Sequence, residues 1–363
     1  MALGLPDLFD TGSTPGLAPR VKLEKGAGAG GGGLGGFGGD LLSAAAGALG
    51  AAQPDPLTDA LSSIAIQLVA APALSTCRLR FLPRSDFPAL ALGDTLTVKL
   101  GVGADPVPVF TGAVAKVTAN RGVIEVLLAT PAAKLARIRR NAGYESQGFA
   151  DLLKTWAGEA GLTAGRIDAG PDYAFFAVDD RLSLWDWVAR IARHADVPAW
   201  ADARGALNAS KPAGQPVASF RFGTTLLALS THARDPVTTG ARMVGEGSAG
   251  RQGSEAWSWL AKDSQGVSAS AGGGATGALE QDGGLRDLAS VASAAAGAAA
   301  GAVRMADMVE VRVAGTPALD VASVFALENC PGGEGDGQWS AIEVRHRLSA
   351  GSGFVTEVVG VSL

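Results

Sequence analysis

The sequence is poor in the residues that most often carry chemistry, with two cysteines, three histidines and two tyrosines among 363 residues. Cys77 and Cys330 are far apart and belong to no CxxC or Cys/His cluster. Neither a disulfide framework nor a zinc site is indicated, and a single Cys77–Cys330 bridge is left open. His194, His232 and His346 fall in three segments that would all have to converge to hold a metal. The signatures HExxH, GxSxG and GxxxxGKS/T do not occur. Charge is also sparse, at 18% of residues with a net of −5, which gives no general attraction to nucleic acid or an anionic membrane. The start, MALGLPDLFDTGSTPG, lacks the basic-then-apolar order of a secretory signal, so synthesis and assembly in a bacterial cytoplasm is expected. The apolar run Leu41 to Ala52 is too short to span a bilayer, and Ala289 to Val303 is built of Ala, Gly and Ser. No stable membrane insertion is expected.

What the chain has in quantity is small apolar residues and strand-like alternation. Hydrophobic residues make up 47%, enough for two or three domains with real cores. Residues 26–39, GAGAGGGGLGGFGG, read as a linker, and their GxGxxG patterns follow from composition because no strand precedes them. Residues 1–60 are therefore expected to be a flexible Gly/Ala-rich extension, with a weak helix over Leu41 to Ala52. From Ile64 to Leu128 apolar and polar residues alternate in short runs separated by turn residues, which indicates an antiparallel barrel or sandwich over residues 61–140. A second β region is read over 213–363. It is interrupted at about 245–304 by a Gly/Ala-rich insertion whose first part reads as loop and whose second part reads as a helix with Asp282 near its start.

Between the β regions, residues 141–212 read as a small α+β module. Phe149, Leu152, Leu153, Trp156, Ala157 and Ala160 make one helical stripe over Ser146 to Gly161. Ser183 offers a cap to a second helix carrying Leu184, Trp187, Val188, Ile191, Ala192 and Ala195, and Pro198 ends it before a short hairpin around Arg204-Gly205. The tryptophans at helical spacing read as core.

Three sets of residues are candidates for function. Acidic pairs, Asp179-Asp180 and the cluster Glu328, Glu334 and Asp336, invite a glycosidase reading, although loop solvation and helix N-terminal charge explain them more simply. The run Lys134, Arg137, Arg139 and Arg140 places four cations in seven residues; it is either a solvated face or a contact to an acidic neighbouring subunit or to nucleic acid. Trp156, Trp185 and Trp200 would serve as stacking faces if they were exposed. His194 reads as a helix-terminal imidazole and His346 as a residue on the polar face of its strand.

The order β region, α+β module, β region, with the words LGDTLTVKLG, VFTGAVAKVT, FADLLKTWAGEAGL, LSLWDWVARIARHADVPAWADARGAL and WSAIEVRHRLSAGSGFVTEVVGV, resembles the phage late control gene D protein family. These are baseplate hub proteins of contractile tails, similar to the N-terminal hub portion of VgrG proteins. The resemblance covers roughly 64–363 outside the insertion. It implies a mainly β fold with α+β, in which two tube-like antiparallel β-barrel domains flank the module. It further implies a homotrimeric, pseudo-sixfold ring that joins a tail tube to a spike, contacts other baseplate subunits and leaves a channel for cargo or nucleic acid. Glu343, Arg345 and Arg347 are then expected on an exposed strand face, and with the basic run they are the interface candidates. No OB-like, β-helical or lysozyme-like segment is read after the last strand, so the spike is expected to be a separate polypeptide. The expected role is structural, without catalysis, cofactor or metal, in a virion tail or injection particle. The alternatives are a glycan- or peptidoglycan-binding module and a cell-wall hydrolase.

Overall fold

The computed structural model describes residues 19–26, 55–103, 105–212, 214–233, 239–245, 267–273 and 277–363. The first β region contains β1 (Pro19–Lys25), the short helix α1 (Pro56–Asp59), β2 (Leu61–Val69), β3 (Thr76–Phe81), β4 (Thr95–Val102), β5 (Val107–Asn120) and β6 (Val123–Ala129). A 3-10 segment, Pro131–Arg137, leads into β7 (Ala142–Gly148), α2 (Phe149–Glu159), β8 (Ala164–Ile167), β9 (Asp172–Val178), α3 (Leu184–His194), β10 (Ala199–Ala201) and β11 (Leu207–Ala209). The remainder holds β12 (Ala218–Arg221), β13 (Leu226–Ala233), β14 (Gly240–Gly245), β15 (Ser268–Gly272), β16 (Gly277–Asp282), α4 (Leu288–Arg304), β17 (Asp307–Ala314), β18 (Val324–Glu328), β19 (Gly337–Ser349) and β20 (Gly353–Ser362).

The fold is mainly β with an α+β module. The two β regions join edge to edge in a 12-stranded sheet of order β1-β4-β5-β6-β3-β2-β19-β20-β17-β13, with β18 and β12 branching from β19. The seam is the antiparallel pairing of β19 with β2, from Glu343 opposite Val69 to Ser349 opposite Ser63. Strand alternation dictates this geometry, since Ile64, Ile66 and Leu68 point to one face and Ala65 and Gln67 to the other. Cys77, Leu79 and Phe81, Leu96 and Val98, Val309 and Val311, Phe325, Val344 and Val358 then form a single hydrophobic core spanning both regions.

Strand β1 lies within the N-terminal extension expected to be flexible. It pairs with β4 from Pro19 opposite Val102 to Lys25 opposite Leu96, and Leu23 enters the core. The signal is the alternation of Val21 and Leu23 with Arg20, Lys22 and Glu24, outweighed in the sequence by the glycines that follow. The rest of the glycine-rich segment and the helix expected over Leu41 to Ala52 lie outside the described residues.

A second core gathers Phe149, Leu152, Leu153, Trp156, Phe176, Trp187, Val188 and Ile191. Helix α3 starts with a capping box: the Asp186 amide donates to Ser183 Oγ at 3.2 Å, and the Ser183 amide donates to Asp186 Oδ2 at 3.0 Å. The hairpin β10–β11 forms about Arg204-Gly205, and β8 joins it in parallel. The structure places α2 later than the helical stripe suggests, at Phe149, because residues 142–148 pair with β9.

The insertion belongs to this second core. Its first part, expected as loop, forms β15 and β16 on either side of β14. Met243, Leu285, Val291, Ala294 and Ala295 pack with the module's residues. Helix α4 begins at Asp287, whose side chain accepts from the Ser290 amide at 2.9 Å, so Asp282 is free for another task. Small residues permit a close approach of α4 to α3: a Cβ at Gly297 would lie 2.7 Å from the Arg193 carbonyl oxygen. Composition alone suggests a loop because small residues lack side chains to bury, but α4 covers the small sheet and supplies the missing contact.

Gly297→Leu is therefore expected to cost about 1–3 kcal/mol, through a clash with backbone that cannot yield. Gly301→Ala meets only the end of Arg304, 3.9 Å away, and should gain up to about 1 kcal/mol from helix propensity. Urea denaturation of the two variants checks the contrast.

Candidate assembly surface

On β19, Glu343, Arg345 and Arg347 occupy the face opposite the buried Val344 and His346. Glu343 Oε1 accepts from Gln67 Nε2 on β2 and from Arg345 Nε, each at 2.6 Å. Arg347 pairs with Glu357 at 3.4 Å. The register sets Arg312, Glu357 and Arg345 side by side on β17, β20 and β19, so charge alternates across three strands. With Glu310, Ser230 and Ala228 these residues surround a shallow depression of about 270 Å³. Further along, Arg80 of β3 pairs with Glu125 of β6 at 2.8 Å. The surface is polar and internally compensated, and each exposed pair adds little stability.

The basic run divides between two roles. Ala132 and Leu135 are buried in the second core, and Ile138 accepts the Leu184 amide at 2.9 Å, so the run docks on the start of α3. Lys134 and Arg137 face outward. Arg139 donates to the Arg181 carbonyl at 2.5 Å. Arg140 pairs with Glu159 at 2.8 Å and also donates to the Tyr144 hydroxyl. The four cations therefore do not form one free patch: the chain's own module takes up Arg139 and Arg140.

The residues of the alternative readings are placed unfavourably for them. Trp156, Trp185 and Trp200 are 0%, 2% and 8% exposed, and none offers a face to a sugar ring. Trp185 donates to the Pro72 and Ala73 carbonyls at 3.0 and 3.1 Å, tying α3 to the β2–β3 turn. Asp179 is bound by Arg181 at 2.6 Å, Glu328 pairs with Arg221 at 3.3 Å, and Asp336 accepts the Cys330 amide at 2.8 Å. Asp179 and Asp180 lie in the module between β9 and α3, whereas Glu328, Glu334 and Asp336 lie on β18 and in the loop from it to β19 of the large sheet. Also among the described residues, no three His, Cys, Asp or Glu side chains gather as a metal site, and no helix is long and apolar enough to cross a membrane. Cys77 and Cys330 are unpaired thiols in the core, and burial, aided by Asp336, pushes Cys330 up to about 11.

Two histidines sit in environments the sequence does not reveal. His346, expected on the polar face, is fully buried: its Nδ1 lies 3.0 Å from Thr356 Oγ1 and its Nε2 3.2 Å from the Leu319 carbonyl oxygen. His346 lies two residues beyond the buried Val344, so the alternation of the strand turns both inward, and the register shift between Ala341 and Glu343 falls before them. Burial holds the His346 imidazole down at about 4, against the hydrogen bond to Leu319. His194 ends α3, where its Nε2 is 3.1 Å from Asp282 Oδ2 and its Nδ1 is 3.3 Å from the Tyr173 hydroxyl. Arg190 donates to the same carboxylate at 2.5 Å, and the Gly284 amide donates to its other oxygen at 2.9 Å. Burial alone would raise the Asp282 carboxyl, but His194 and Arg190 outweigh it and hold it near 2. Asp282 thus pins the insertion to the module. Beside this pin a groove of about 940 Å³ separates α3 and α4 from the ends of β19 and β20, floored by Ala192, Val197, Ile342 and Val361.

The molecule is a two-core, mainly β scaffold with a charge-compensated sheet face, and its fold is one found in tail proteins of bacteriophages. It is similar to the 43 kDa tail protein of prophage MuSo2 from Shewanella oneidensis, at a TM-score of 0.63 and 12% identity over 95% of this chain and 98% of that one. The tail protein from Neisseria meningitidis MC58 gives 0.63 and 12% over 83% and 92%. The Escherichia coli c3393 protein, a type VI secretion component, gives 0.57 and 11% over 84% and 73%. No known family profile matches the sequence, and no curated protein matches it.

Asp282→Asn leaves Arg190 without its counter-charge and removes the carboxylate beside His194, and should cost about 2–3 kcal/mol, reduced from a fully buried pair by the partial exposure of Arg190. Because the folded-state value lies below the unfolded one, this stabilisation is present above about pH 4 and falls as pH drops toward 2; chemical denaturation against pH reads both effects. His346 follows the same sign at a different window. Its contribution is complete above about pH 6.5 and declines toward pH 4, so His346→Gln should flatten that part of the stability profile.

Proposed function

We propose that this chain is a structural hub protein of a contractile tail or contractile injection system. In this reading three copies form a ring in which each contributes two β regions, giving a pseudo-sixfold surface toward the tail tube and a threefold surface toward a separate spike protein. The observation that carries it is the likeness of nearly the whole chain to a phage tail protein, together with the fusion of two β regions by β2–β19. Two related units in one subunit are what a match between threefold and sixfold partners requires.

The residues take roles accordingly. The alternating charges around Glu343, Arg345 and Arg347 suit a channel wall, because a compensated surface holds neither a polyanion nor a protein cargo in passage. Lys134 and Arg137 project from the docked basic run and would meet acidic surfaces of a neighbouring subunit. The α+β module, thickened by the insertion, faces other baseplate components. The protein would be assembled in the bacterial cytoplasm and work within a virion tail or injection particle, as a scaffold without catalysis. Buried tryptophans and dispersed carboxylates give the glycan-binding and hydrolase readings no support.

Light scattering on the purified full chain, alone and mixed with the tube and spike proteins encoded beside it, tests the reading. The expected result is a trimer, or a monomer that becomes a trimer when the spike is added. A monomer that persists under all conditions overturns it.

A further inference from the structure

The groove of about 940 Å³ beside the Asp282 pin is apolar within and cationic at its mouth. Met305 and Leu363 stand in it 37% and 58% exposed, with no described segment covering them. Four cations edge it: Arg190 is held by Asp282, Arg193 by Glu280, and Arg304 and Lys211 both by Asp196. In every pair the cation is the more exposed partner, from 30% against 5% at Arg190 and Asp282 to 60% against 15% at Lys211 and Asp196. The acids are drawn beneath while the positive ends face the opening. Such a groove fits an occupant that is apolar and carries acidic residues at its edge.

The sequence contains such a segment outside the described residues. Residues 1–10, MALGLPDLFD, carry Leu3, Leu5, Leu8 and Phe9 together with Asp7 and Asp10, and residues 1–18 hold no Lys, Arg or His. The run TGSTPG that follows has the composition of a spacer. Residues 254–263, SEAWSWLAKD, are also rich in apolar side chains, but they would bring Lys262 to a cationic rim. The register of the large sheet delivers the N-terminal segment to the groove. Arg345 of β19 lies level with Gln67, Thr76, Ala129, Ala113 and Thr95 on successive strands. From that row β19 runs back to Ile342 on the floor, β2 runs on toward Ala71 at the wall, and β4 runs on to Val102, opposite Pro19. Strand β1 therefore begins at the end of the sheet where the groove lies. The six strand steps from β1 to β19 cover about 29 Å, and residues 10–18 span about 30 Å when extended. We propose that residues 3–9 lie in the groove of their own chain, their leucines and phenylalanine against Met305, Leu363 and the floor, with Asp7 and Asp10 toward Arg193 and Lys211. The segment thereby clamps the module and its insertion to the large sheet. The contact is made within one chain and does not depend on the ring.

The test is the full-length chain carrying Gly4→Cys and Gly301→Cys, treated with a short bis-maleimide and digested for mass spectrometry. The native thiols, Cys77 and Cys330, are buried, and each single variant supplies the background. A peptide linking positions 4 and 301 within covalent monomers is the expected result. A link found only in covalent dimers assigns the groove to a second copy, and a link from Ser258→Cys in place of Gly4→Cys assigns it to residues 254–263. Either result overturns the proposal, as does the absence of any link. Independently, chymotrypsin should cut after Phe9 about tenfold faster in Gly301→Trp, which fills the groove from a position where a Cβ meets only the end of Arg304. The same gain is expected in Asp7→Lys with Asp10→Lys, which alters no described residue. An unchanged rate in either variant, with the thermal midpoint retained, counts against the docking.

Discussion

The antiparallel seam between β2 and β19 is the constraint on which the rest of the molecule depends. It joins residues about 280 positions apart, as in the 276-residue separation of Gln67 and Glu343, and turns two β regions into a single sheet over a single core. Closing so long a loop costs little more entropy than closing one of moderate length, because the cost grows only with the logarithm of loop size. Burying Ile64, Ile66, Val344 and Val358 against that core returns about 1.5–3 kcal/mol for each large side chain. The seam also fixes which side chains share the polar face. A one-residue slip would send Glu343 and Arg345 inward and Val344 outward.

The α+β module hangs on this frame through few but specific ties. The Ala71 amide donates to the Ala199 carbonyl at 2.7 Å, Thr111 Oγ1 donates to the Ala203 carbonyl at 2.8 Å, and Trp185 reaches the turn after β2. The module's own stability draws on the insertion, whose small residues let α4 lie against α3. Placing Asp282 against Arg190 and His194 makes that docking specific, since a shifted insertion would leave buried charge without a partner.

Secondary structure was readable where side-chain period and local chemistry agree. The Ser183 cap, the stripe from Leu184 to Ile191, the hairpin about Gly205 and the alternation of β3, β4 and β17 all come from interactions within a few residues of one another. The Gly/Ala-rich parts were hard to read, because small residues carry weak periodicity in either direction and take the structure of whatever covers them. β15 and β16 were missed for this reason. The site was less legible than the fold: the run Lys134 to Arg140 reads as one patch in the sequence, yet Glu159 and the Arg181 carbonyl divide it.

The sequence by itself determined the mainly β composition, the placement of α3 and, to within a turn, of α2, and the scarcity of groups able to do chemistry, since these follow from residue type and short-range spacing. Only the tertiary structure decided that the two β regions share one core, that the insertion completes the module and that Thr356 and Leu319 close on His346. Each of those outcomes depends on a partner distant in the chain, and a strand's pattern says that one face is to be covered without saying what will cover it.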